Sequence, residues 1–125
     1  MTTAMVEIYE KLEVQIGDLY KEMSILSKKS PDGKTNKFKL NFVNQLLSTS
    51  NELLSGNFVP LVGFEKFDED DAPSNSDVVL VISQYISCLQ KYKFDNIKWI
   101  NHEWRWVVDD AEPIMTTPPE YKFTR

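Results

Sequence analysis

Three stretches of the chain repeat apolar residues at helical spacing, and stretches rich in Pro, Gly and Asp separate them. From about Met5 to Leu26 the residues Met5, Tyr9, Leu12, Ile16, Leu19, Met23 and Leu26 alternate steps of four and three. That pattern draws a heptad-like seam down one side of a long helix. Gly17 lies beside the seam and weakens the helix by about 1 kcal/mol relative to alanine. The seam predicts one wall of an intramolecular bundle, and a homodimer contact through this first helix is its alternative use. Ser30-Pro31-Asp32-Gly33 has the residues of a tight turn. A second helix is expected from about Asn36 to Ser55, capped by Thr35 or Asn36. Its apolar positions are Phe38, Phe42, Val43, Leu46, Leu47, Leu53 and Leu54. The short link makes the first two helices antiparallel. Gly56 is suited to close the second in a left-handed conformation.

Val78 to Tyr92 is the most apolar run. Its first five residues would also suit a buried strand. The helical period persists through Lys93, however, with Val78, Ile82, Tyr85, Leu89 and Tyr92 on one face. Val79, Val81, Ile86 and Cys88 widen the apolar arc, which predicts contact with two neighbours. Ser74 or Ser76 is the N-cap. From Ser74, Asp77 stands at the third helical position, as in a capping box. This helix is expected to run to about Trp99 and to form the spine over which the other two close.

Two further stretches are less regular. Phe58 to Phe67 is apolar but interrupted by Pro60 and Gly63, and reads as an irregular connection laid on the bundle. Trp104-Arg105-Trp106-Val107-Val108 alternates, with Trp104, Trp106 and Val108 on one face, and Ile114 to Thr117 is its expected partner strand. A lone hairpin is marginal in water, so the tryptophans must dock. The expected fold is mainly α: a three-helix antiparallel bundle with a short C-terminal β-hairpin. It forms one domain over residues 1–125, with the bundle at about 5–98 and the hairpin and tail at about 99–125.

Composition narrows the function. Apolar residues make up 42% of the chain, which opposes disorder. Net charge is -5, so general attraction to nucleic acid or to acidic membrane is not expected. The single cysteine, Cys88, excludes an intrachain disulfide and suits a reducing compartment. No segment has the pattern of a signal peptide or the length of a bilayer span. A soluble cytoplasmic protein is the resulting expectation.

No arrangement of residues carries recognisable chemistry. His102, the only histidine, has no evident orienting partner, and one histidine with one cysteine does not make a zinc site. Cys88 within a buried helix is expected to be an inert thiol. The acidic run Asp68, Glu69, Asp70 and Asp71 lacks the alternate ligands and central glycine of a calcium loop. Neither catalytic residues, metal nor cofactor is therefore assigned, and the balance leans against an enzyme.

What remains is charge layout and aromatic density. Lys28, Lys29, Lys34, Lys37 and Lys39 outweigh Asp32 in one segment. Six acids outweigh Lys66 between Glu65 and Asp77. Segregated charge steers encounter with a partner. The expectation is a non-enzymatic interaction protein of accessory, inhibitor or immunity type. Its contact surface joins Asp68 to Asp71 with Trp104, Arg105 and Trp106. The first alternative is a small-ligand pocket or active site between hairpin and bundle, using Glu103, Trp104 and Arg105. The second is phosphate contact by the lysine cluster, which lacks arginines and interleaved aromatics for reading bases. Pro118-Pro119-Glu120-Tyr121 also fits the PPxY pattern of polyproline recognition, a short and unspecific match.

Overall fold

The computed structural model describes residues 1–55 and 58–120. Three helices, α1 (Thr3–Lys29), α2 (Lys37–Leu54) and α3 (Asn75–Asn96), pack as a bundle in which α1 runs antiparallel to the other two and α2 and α3, which start at the same end, run parallel. A 3-10 turn (Glu69–Asp71) precedes α3. A small antiparallel sheet follows it, in the order β1 (Ile97–Ile100), β2 (Glu103–Trp106), β3 (Ile114–Met115).

The seam of α1 buries Tyr9, Leu12, Ile16, Leu19 and Met23, with Val6 beside them. Thr2 caps the helix, its hydroxyl accepting from Met5 N at 3.2 Å. Asn36 caps α2 by accepting from Lys39 N at 2.8 Å. The buried face of α2 is Leu40, Val43, Leu46, Leu47, Ser50, Leu53 and Leu54. Phe38 and Phe42, expected in the core, point outward, and Phe38 is 86% exposed. Each lies two residues from Leu40, about 200° round the helix axis. One face of α2 can meet α1 and α3, and the smaller, closer-packing leucines and valine hold it. Gly56, expected to close this helix, lies outside the described residues.

The entry to α3 is tied to the turn between the first two helices. Ser74 caps α3 by accepting from Asp77 N at 3.2 Å. Asn75 N donates to Gly33 O at 2.8 Å and Ser76 N to Pro31 O at 3.1 Å. Donors that a helix start leaves unpaired therefore find partners in the turn. The Asn75 side chain closes the knot, donating to Ser30 O and accepting from Thr35 Oγ1, both at 2.9 Å. A Cβ at Gly33 would stand 2.3 Å from Ser30 Oγ and 3.2 Å from Asn75 Nδ2, so a larger residue would have to turn the Ser30 hydroxyl away and crowd the Asn75 amide.

Val78, Ile82, Tyr85 and Leu89 of α3 are buried. The helix packs on both others and most extensively on α1. Its enclosure is less complete than expected, since Val79, Val81, Ile86, Cys88 and Tyr92 are half-buried and Leu80 is 60% exposed. It also stops at Asn96, short of the expected Trp99. Ile97 turns into extended backbone (φ -121°, ψ 158°) and starts β1.

The main hairpin is thus β1–β2, with Ile97 opposite Trp106 and Trp99 opposite Trp104. Its turn residues Asn101 and His102 both have positive φ, 53° and 67°. Such two-residue turns match the twist of paired strands. The expected return strand exists as β3, which pairs only Arg105 with Met115 and Trp106 with Ile114. One apolar cluster runs from the three helices into Ile97 and Trp106 of the sheet.

Candidate functional site

The acidic residues stand on a braced turn. Asn44 of α2 grips the main chain just before them, donating to Phe67 O and accepting from Phe67 N, each at 2.9 Å. The amide side chain takes the place of a neighbouring strand. Asn51, about two turns further along the same face of α2, donates to Glu65 O at 2.9 Å. Phe64 and Phe67 meet edge to face at 5.1 Å and pack on the core. Downstream, the Asp68 carboxylate accepts from Asp70 N at 2.9 Å. All four acids, Asp68, Glu69, Asp70 and Asp71, are exposed.

The lysines are at the same end of the bundle. Lys28 and Lys29 occupy the last turn of α1, where cations suit the helix dipole. Lys34 forms an isolated antiparallel bridge with Ser74, immediately after the acidic turn. Lys37 begins α2, and Lys39 is partly covered and pairs with Glu22 at 3.5 Å. Charges segregated along the sequence therefore share one pole in space. This weakens the field that either set alone would project at a distance.

The tryptophan sheet is at the opposite pole. It follows the C-terminus of α3, whereas the acids precede its N-terminus, and the 22 residues of α3 span about 33 Å. The acids and the tryptophans do not form one continuous surface, contrary to the expectation. Within the sheet the side chains divide by face. Trp106 is fully buried, meets Tyr9 edge to face at 5.0 Å, and donates from Nε1 to Glu10 at 3.0 Å. Trp104 is half-buried and meets Trp99 at 5.5 Å, and Trp99 is 59% exposed. Arg105 and Glu103 share the other face and pair at 2.6 Å. A cleft using Glu103, Trp104 and Arg105 together, as the ligand alternative required, is opposed by this division.

Behind Trp106 lies a polar cluster that the sequence reading missed. Lys93 is buried, with its Nζ 3.4 Å from Glu13 Oε2 and 2.8 Å from Thr117 Oγ1. It also lies 5.9 Å from the Trp106 ring centre. Gln90 donates to the same Glu13 oxygen at 2.9 Å. The Tyr9 hydroxyl donates to Leu89 O at 2.7 Å. Burial, reinforced by the Glu13 carboxylate, pushes its ionisation well above the ordinary tyrosine value. The available signal was Lys93 itself, four residues after Leu89 on the apolar stripe. A cation there needs a partner, although its identity 80 residues away was not readable.

The other sequence candidates carry no assembled chemistry. His102 is exposed in its turn. The Cys88 thiol is half-buried, and burial pushes its ionisation up. Among the described residues, no three His, Cys, Asp or Glu side chains are grouped to hold a metal ion. No helix there is long and apolar enough to cross a membrane.

Comparison with known proteins is silent. The chain matches no family model, no curated protein and no solved structure.

Proposed function

We propose that the protein acts by binding another protein, as an accessory or inhibitor-type factor, and that the acidic turn Asp68–Asp71 is its contact surface. The supporting observation is the reciprocal Asn44–Phe67 clasp, which holds the chain leading into four exposed acids. A surface fixed before binding loses less freedom when a partner arrives, and so retains more of its contact energy. The complementary partner presents a basic surface. Trp99 and the open edge of Trp104 are a separate patch at the far pole, and the reading does not require them. Phosphate binding by the lysines is disfavoured, because the acids at the same pole would repel it. Cytoplasmic residence remains part of the proposal and is supported by the lone, half-buried thiol.

The test is affinity capture from the native host with the full chain and with the double charge reversal D70K/D71K. The expected result is a specific bound protein whose retention weakens with salt and falls at least tenfold on reversal. Reversal of Lys28 and Lys29 is expected to leave it in place. Equal retention by D70K/D71K refutes the acidic turn as the contact.

A further inference from the structure

α1 carries a second stripe beside its buried seam. Ile8, Lys11, Gln15, Asp18, Glu22 and Ile25 follow one another by steps of three and four, so they share one side of the helix. The two isoleucines are 47% and 53% exposed. Phe38 and Phe42, turned outward on α2, border the same flank. Two shallow recesses lie between the helices, and both touch Gln15. One, of about 330 Å³, adjoins Glu22, Phe38 and Phe42. The other, of about 220 Å³, adjoins Ile8, Leu12, Leu46 and Thr49. Among the described residues only those of α1 and α2 line them, so α3 and the sheet leave this flank uncovered. Large apolar side chains gathered on one exposed face are the mark of a contact surface.

The order of charges along the stripe selects its occupant. Turned end for end about its midpoint, between Gln15 and Asp18, the stripe is complementary to itself. Ile8 then falls opposite the second copy's Ile25, Lys11 opposite its Glu22 and Gln15 opposite its Asp18. Laid in the same direction, Lys11 would instead face Lys11, and both acids would face their own kind. α2 follows the same symmetry. Lys39 pairs with Glu22 at 3.5 Å, and Leu46 and Thr49 stand level with Leu12, which fixes the stagger of α2 on α1. The reversal brings Phe42 level with the second copy's Leu46 and Thr49, and Phe38 level with its Ile8 and Lys11. The aromatic end of each copy thus meets the smaller recess of the other.

We propose that this flank binds a second copy of the chain, giving a two-fold dimer in which α1 packs antiparallel on α1 and α2 on α2. The contact extends from Ile8 to Ile25, about 26 Å along α1. The heptad seam of α1 takes no part, because the core of each copy has already buried it. Asn44, which grips the acidic turn, lies two residues from Phe42 and so about 200° away round α2. The turn therefore stays outside the interface, and the inference is independent of the protein partner proposed above.

Sedimentation velocity on the full chain provides the test. At about 0.1 mM the expected mass is that of two chains. K11E and E22K should each raise the dimer dissociation constant about tenfold or more, since each sets like charges opposite one another. Both positions are exposed, so thermal melts of the dilute variants should match the parent. An equimolar mixture of K11E and E22K should dimerise again, because every charge then meets its opposite on the other variant. Phe38→Asp should leave the chain folded and monomeric. A single-chain mass for the parent at that concentration overturns the proposal. A dimer indifferent to K11E and Phe38→Asp overturns this flank as its interface, and a mixture that stays monomeric overturns the antiparallel register.

Discussion

The two poles of the bundle are held by different physics. At the acidic pole, amide side chains grip main-chain atoms and leave every acid of the turn in water. At the sheet pole, a tryptophan, a tyrosine and a lysine go inside, and each polar tip finds a named partner. The first arrangement fixes shape while leaving charge available. The second uses charge and aromatic area to attach a sheet too small to stand alone. The poles should therefore respond oppositely to substitution, with stability most sensitive at the sheet and recognition at the acids.

The largest expected effect is Trp106→Ala. It removes a fully buried ring and leaves Glu10 without its donor, and should lower unfolding free energy by about 3–5 kcal/mol in denaturant titration. A loss below about 1 kcal/mol would mean that the sheet is not fastened there. Asn44→Ala is intermediate. It leaves both backbone groups of Phe67 without the clasp, at a cost of about 1–2 kcal/mol. It should also weaken partner retention although no acid has changed, which separates bracing from charge. D70K/D71K, by contrast, should stay within about 0.5 kcal/mol of the parent stability, as expected of exposed positions.

The smallest effect concerns Asp110, which lies in the connection between β2 and β3 and binds the start of α1. The Thr3 backbone N–H donates to its Oδ1 at 2.9 Å, and so does the Thr3 hydroxyl, which holds this carboxyl below its ordinary value. A carboxyl depressed by folding stabilises the fold above its unfolded value, near pH 4. That contribution disappears as the pH falls through the lower folded value. Asp110→Asn should therefore flatten the acid limb of stability measured by urea midpoint below about pH 4. An unchanged slope would show that the contact does not titrate with folding.

Much of this architecture was legible in the sequence. The steps of four and three in α1 named its buried seam from Tyr9 to Met23, because a helix facing one core must repeat that way. Ser74 and Asp77 located the start of α3, because cap chemistry is local. The misreadings have the same cause in reverse. Phe38 and Phe42 are apolar, but only the positions of α1 and α3 decide that Leu40 faces inward. Phe94 and Ile97 continue the helical period of α3, so β1 was hidden. The left-handed Asn101-His102 turn, and a partner strand to receive Trp99, decide for a strand instead. At the candidate site the acids were visible as a run. Their bracing by Asn44 was not, since a polar residue inside a helix does not announce which distant main chain it holds.

That bracing has an evolutionary corollary. The clasp engages atoms that every residue type at position 67 other than proline possesses, and it ends before the first aspartate. Asp68 also holds the turn by accepting from Asp70 N, whereas the side chains of Glu69, Asp70 and Asp71 are exposed and free to vary in sign or size without redirecting the chain. Under the proposed function, specificity for a new target would change by exchange at Glu69, Asp70 and Asp71 alone, while the scaffold beneath stays as it is.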